Sequence, residues 1–319
     1  MMRFKSIAVA LALAANAGFG SPVESLRLEG EPYLPDAPLA WAAPATNLPA
    51  SIRVYRVLPQ HFSEAAISRM LVLASFTPKT MQTSPDGHTL HWEYHDARGT
   101  LVRSLDIAPI YGLIEYHNYR AVDISTNGDE AVPTQAEVER LALGYLQELG
   151  GDTNQLCFSP HSGTERHHSV YDKQAKKFIQ RTVMRGVMYA RKLDGIRFLG
   201  AGGRGGFAMD FGRDSGIASL ELDWRNVQPL KGCDPATPKD ITDWIHNGKA
   251  VQAMFSDEPP AHADRLTINR ITPYYLGAPG GTPQNIIWPF ADVEMVASTG
   301  TNTATFHLNC PILSTNAIF

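Results

Sequence analysis

Thr134-Gln135-Ala136-Glu137-Val138-Glu139-Arg140-Leu141-Ala142-Leu143-Gly144-Tyr145-Leu146-Gln147-Glu148-Leu149-Gly150-Gly151 opens with a start signal and closes with a stop signal. Thr134 and Glu137 form a capping box, in which each side chain satisfies a free amide of the first turn. Val138, Leu141, Ala142, Tyr145, Leu146 and Leu149 then recur at helical spacing, and Gly150-Gly151 ends the run. Strand-like runs follow at about Lys177–Val187, Ile196–Leu199, Gly206–Phe211 and Ile217–Trp224.

The same order is written on either side. Ser63 caps a helical run through Leu73, and strands follow at Thr89–His95, Leu101–Ile107 and Ile110–Tyr119, with turns at Asp86-Gly87 and Arg98-Gly99. Thr237-Pro238-Lys239-Asp240 opens a third helix with proline at its first position, where a missing amide costs nothing. Gly248 stops that helix, and strands are expected at Arg265–Leu276, Ile286–Val296 and Thr303–Leu308. A helix followed by an antiparallel meander buries one face of each element against the other. The expected fold is therefore α+β: tandem cystatin-like units, each a helix packed on an antiparallel sheet, with the second sheet face wet or free to bind.

Residues 1–17 carry Arg3 and Lys5, no acid, and a short apolar run from Ile7 to Ala17. That is the pattern of a secretory signal peptide, too short to span a bilayer comfortably. Residues 18–51 are rich in Pro and Ala and read as an extended lead-in. The remainder divides into an N-terminal α+β module at 52–130 and a C-terminal α+β region at 131–319, which splits again near 235. No later stretch is apolar for 18 residues, so no transmembrane segment is expected in the mature chain, and its location is secreted or extracytoplasmic.

The 319 residues carry a formal net charge of −4, and loss of Arg3 and Lys5 with the leader takes this to −6. Mild acidity argues against a nucleic-acid partner, which needs a basic face. Cys157, Cys233 and Cys310 allow three pairings with one thiol left over, and none sits in a CxxC.

Asp194-Gly195-Ile196-Arg197-Phe198-Leu199-Gly200, Gly206-Phe207-Ala208-Met209-Asp210-Phe211 and Ser215-Gly216-Ile217-Ala218-Ser219-Leu220 resemble the strand and glycine pattern of PepSY and related propeptide modules of secreted metallopeptidases, and of YycI/YycH-type extracytoplasmic regulators. Leu266–Tyr275 and Ile287–Phe290 are similar to the closing strands of the same group. The resemblance covers roughly Thr134 to Pro311. It implies a cystatin-like fold and roles such as inhibition, chaperoning or partner binding, with a peptidase as the partner class. It brings no catalytic residues, and no His-Glu-x-x-His stands in the chain.

The residues best suited to chemistry lie in His88-Thr89-Leu90-His91-Trp92-Glu93-Tyr94-His95. On a strand, His91, Glu93 and His95 share one face, and Leu90, Trp92 and Tyr94 the other. Glu115 and His117 have the same spacing on a strand expected nearby. Asp106, Asp210, Glu221 and Asp223 lie in strand-like runs, and any of them that is buried would have a raised pKa. His161, His167 and His168 fall in a polar, loop-like region. Gly200–Gly206 and Gly277–Pro283 read as flexible links, since neither carries a phosphate-loop Lys-Ser/Thr.

Two readings lead, with a purely structural envelope protein as a third. One is a secreted, non-catalytic binding or inhibitory protein acting on a partner such as a peptidase. The other is a cofactor-independent enzyme, of isomerase, cyclase or dehydratase type, that takes a small-molecule ligand in a sheet–helix cavity with His91, Glu93, His95 and Asp106 as acid and base. Two imidazoles flanking a carboxylate, as in His91, Glu93 and His95, could instead bind a divalent metal, but neither reading requires a cofactor or a metal.

Overall fold

The computed structural model describes residues 32–42, 48–59, 62–77, 81–84, 87–122, 132–200, 205–253, 256–278 and 284–314, without the side chains of 158–162 and 231. The expected signal peptide lies outside the described residues, as do Asp86, most of both glycine-rich links and the side chain of His161.

Among the described residues, three α-helices form where capping chemistry places them. In α1 (Glu64–Ala74), the Ser63 side chain accepts from the Ala66 amide, and Ser75 closes the helix in the left-handed region at φ 56. Both halves of the capping box are made in α2 (Gln135–Glu148). A second box, Thr237 with Asp240, starts α3 (Pro238–His246).

The rest is mostly strand. In chain order these are β1 (Leu39–Trp41), β2 (Ile52–Val57), β3 (Gln82–Thr83), β4 (Leu90–His95), β5 (Leu101–Ala108), β6 (Leu113–Asn118), β7 (Leu156–Asp172) and β8 (Lys177–Leu193). They continue as β9 (Ile196–Leu199), β10 (Gly206–Phe211), β11 (Ile217–Asp223), β12 (Val227–Cys233), β13 (Val251–Gln252), β14 (Arg265–Leu276), β15 (Ile286–Thr299) and β16 (Asn302–Pro311). All sixteen belong to one mixed sheet whose main path runs β12-β2-β15-β14-β9-β8-β10-β11-β6-β5-β4-β3.

This overturns the tandem cystatin-like units. Strands of the expected first unit pair with strands of the second: β6 lies antiparallel to β11, with Glu115 opposite Glu221. The helices α1 and α2, expected to head separate units, share one core with Trp92, Leu105, Phe207 and Leu220. Two parallel pairings, β1 with β14 and β9 with β14, have no place in an antiparallel meander. The physical reason is that caps and alternation are local signals. The choice of neighbour for each strand is made by burial over long sequence separations, which no short stretch encodes.

A second core joins α3 to β1, β2, β9, β14, β15 and β16 around Phe198, Tyr275 and Phe306. The Pro/Ala-rich lead-in acts as a strap on this core. Its Ala37 is buried, Leu266 donates to the Pro38 carbonyl, and the Trp41 indole donates to Thr242 of α3 at 3.1 Å. The two cores meet along β9, which pairs with β8 on one edge and β14 on the other.

Between β8 and β10 the backbones approach too closely for any side chain at Gly206. A Cβ there would sit 2.2 Å from the Tyr189 carbonyl oxygen, and φ is +139.

Candidate functional site

The face of β4, β5 and β6 turned away from α1 and α2 gathers the residues singled out above. Register sets His91 opposite Asp106, and Asp106 opposite Glu115. Glu93 faces Ser104, and Ser104 faces His117. Alternation sends Trp92 the other way into the core, where it is 1 % exposed.

His91 is the best-anchored group of the set. Its Nδ1 lies 2.6 Å from Asp106 Oδ1 and its Nε2 lies 3.2 Å from Glu93 Oε1. Partial burial disfavours the imidazolium, but the hydrogen bonds and charges of Asp106 and Glu93 outweigh it, so the pKa is raised above 6.5. With both nitrogens engaged by carboxylates, this ring has no free basic nitrogen of the kind a general base presents to substrate. His95 is more loosely tied, 3.8 Å from Glu93. His117 stacks on Tyr119 with ring centroids 6.0 Å apart.

The sign of the pH effect follows. A histidine whose folded pKa is raised contributes stability that is fully present below pH 6.5 and lost as pH rises through the folded value. His91→Gln should therefore destabilise by up to about 1 kcal/mol at pH 5.5 and by less at pH 8.5. Urea midpoints at the two pH values check this.

Of the strand carboxylates considered, Asp223 is the one that its surroundings shift, its side chain being only 14 % exposed. Burial pushes its pKa from 3.8 to about 6, against the pull of Arg225 and Arg191 and helped upward by Glu221 and Glu115. Its companions are structural. Arg191, 2 % exposed, donates to Gln155 Oε1 at 2.8 Å and to the Arg225 carbonyl at 2.5 Å, and lies 4.5 Å over the Trp224 ring. Arg225 donates to Gln284 and to the Ala278 carbonyl. Asp210 is spoken for by Thr164 at 3.0 Å and Ser219 at 2.6 Å.

Among the described residues, no group of three or more His, Cys, Asp or Glu side chains is arranged to hold a metal ion. Cys157, Cys233 and Cys310 are all free thiols. No helix among the described residues is long and apolar enough to cross a membrane.

A cleft of 640 Å³ lies on the opposite face, between α1, α2 and the ends of β5 and β6. Arg103 and Tyr116 point into it, while their strand neighbours Ser104, Glu115 and His117 point away. The candidate histidines and the sheet–helix cavity of the enzymatic reading are thus on different sides of the sheet.

Sequence reasoning missed the most prominent surface feature. The stretch read as a polar loop with His167 and His168 is strand β7, paired with β8 along a hairpin that turns at Lys173–Lys176. Beyond Arg185 the β8 strand leaves β10, and from there only β7 accompanies it. No residue from 163 to 182 is buried. The result is a two-stranded arm, about 25 Å long at 3.3 Å per residue. Its tip carries Tyr171 and Phe178, 49 % and 72 % exposed, edge-on at 5.3 Å. Val170 faces Ile179 on the reverse side. Asp172 fixes the turn by accepting from the Gln174 and Ala175 amides at 2.8 and 3.0 Å. Five cations (Arg166, Lys173, Lys176, Lys177 and Arg181) stand here against Glu165 and Asp172. One signal was available: Val170-Tyr171 and Phe178-Ile179 flank a polar four-residue turn, the mark of a hairpin.

Comparison with known proteins adds little. No family model matches the chain, and no curated protein does. Among solved structures, an uncharacterized protein from Eubacterium rectale is similar at 10% identity and a TM-score of 0.43, covering 86% of this chain and 85% of its own.

Proposed function

We propose that this chain is a non-catalytic binding protein, working outside the cytosol, that grips a protein partner with the β7–β8 arm. The observation that carries the reading is the tip: two large aromatic side chains held in solvent at the end of an ordered hairpin. A two-stranded ribbon with no third strand is marginally stable in water. Aromatic rings at such a position supply contact area at low entropic cost and are the usual anchors of binding energy. The surrounding lysines favour an acidic surface on the partner and faster encounter with it. The polar face with His91 supports this reading in a negative way, because its charged groups satisfy one another. A peptidase, the class implied by the strand resemblance, is the first partner to assay.

The test is a double substitution, Tyr171→Ser with Phe178→Ser. Both side chains sit far from either core, so the melting temperature should stay within about 1 °C while partner capture falls at least tenfold, the loss of one or two anchors at over 1 kcal/mol each. Capture from the native extracytoplasmic fraction, followed by titration of the purified partner, measures it. Unchanged affinity in the double variant would rule the arm out as the contact.

A further inference from the structure

We infer that the cleft between α1, α2 and the ends of β5 and β6 is a binding site for a small organic acid with an apolar body. The inference is independent of the arm, which lies elsewhere on the fold.

Charge comes first. The chain is acidic overall, at −4, yet this cleft is lined by Arg69, Arg103 and Arg140 against a single acid, Glu148. That acid is already taken, since Arg69 Nε lies 2.8 Å from Glu148 Oε2. Arg103 is held in place without a carboxylate: its guanidinium lies over the rings of Tyr94 at 4.9 Å and Phe76 at 5.6 Å, and its buried Nε has no hydrogen-bond partner. Arg140 is exposed at the rim. The acid that feels it, Glu137, stands three residues earlier on the same helix and is bonded to Thr134 in the capping box. Among the described residues no carboxylate is bonded to Arg103 or Arg140, so two guanidinium groups face the cleft with anion-binding capacity to offer. One of them is locked by aromatic stacking, so little ordering entropy is lost when it binds.

The remaining walls define the rest of the ligand. Leu73, Leu141, Tyr145 and Ile217 are apolar, and Asn118 and Tyr116 bond to each other at the floor. A bare inorganic anion would leave these apolar walls wet. The cleft is wide and open to solvent, with room of about 640 Å³, so one side of a bound ligand stays exposed. Arginine forks match a carboxylate in two-point geometry, and the apolar body covers the leucines and the tyrosine ring. The site binds and performs no chemistry of its own.

Isothermal titration of the full mature chain at pH 7 tests this with three probes: 1-naphthaleneacetate, its neutral amide 1-naphthaleneacetamide, and inorganic phosphate. The acid should bind saturably and at least tenfold more tightly than the amide. Arg140→Gln should weaken the acid about tenfold, leave the amide unchanged and leave the melting temperature unchanged, and Arg140→Lys should restore part of the loss. Equal binding of acid and amide, an Arg140→Gln variant with unaltered affinity for the acid, no saturable binding of the acid, or binding of phosphate as tight as the acid would each overturn the assignment.

Discussion

Phe198→Ala lowers the free energy of unfolding by about 3–5 kcal/mol, the range for deleting a fully buried aromatic ring and leaving a cavity. Phe198 is 0 % exposed and occupies β9, the strand between the two cores. It sits opposite Arg191 of β8 and Tyr275 of β14. Its far edge leaves no space at Gly277, where a Cβ would come within 2.7 Å of the ring. The close-packed side chains of this core collapse only partly into a void, so a cavity cost adds to the lost burial. Denaturant unfolding followed by tryptophan fluorescence measures it. A loss below about 1 kcal/mol would mean that the ring is dispensable to the junction.

Arg191→Leu is the second large effect, and its size depends on pH. The guanidinium is buried with Asp223 nearby, and burial lowers its own pKa to about 10. Removing Arg191 leaves Asp223 with Arg225 alone, 3.8 Å away, so the cost falls at the lower end of the about 3–5 kcal/mol of a broken buried pair. The deficit is greatest where Asp223 must be ionised. Its folded pKa of about 6 is above the 3.8 of an ordinary aspartate, so folding takes up a proton between these values, and this group's contribution to stability falls as pH rises through that window. Without Arg191 the window widens upward. The variant should therefore lose more stability at pH 8 than at pH 4.5, and adding Asp223→Asn should flatten the difference. Equal losses at both pH values would mean that Arg191 acts through packing on Trp224 and through its hydrogen bonds to Gln155 and the Arg225 carbonyl.

Local chemistry was legible and long-range pairing was not. Ser63, Thr134 and Thr237 announced three helices because a cap must satisfy amides within its own first turn. The alternation in Leu90–His95 told which side chains share a face, and β4, β5 and β6 bring His91, Glu93, Asp106, Glu115 and His117 onto one surface. Nothing in Ile196–Leu199 said that it would lie parallel to Tyr274–Leu276 and join two cores. That pairing spans more than seventy residues and depends on the summed burial of both partners. The outer part of β7 escaped notice because none of its residues from 163 to 172 is buried. Ser162-Gly163-Thr164-Glu165-Arg166-His167-His168 lacks the polar–apolar period of a half-buried strand, since water surrounds both faces of the arm. The Arg103 cleft was equally invisible, since its three arginines come from α1, β5 and α2.

Differential scanning calorimetry of the purified chain addresses the joined sheet most directly. One continuous sheet with β9 shared by both cores predicts a single transition, with calorimetric and van't Hoff enthalpies in a ratio near one. It also predicts that Phe198→Ala moves the whole transition down. Two resolved transitions, with only one of them shifted by Phe198→Ala, would contradict the account and restore two independently folding units.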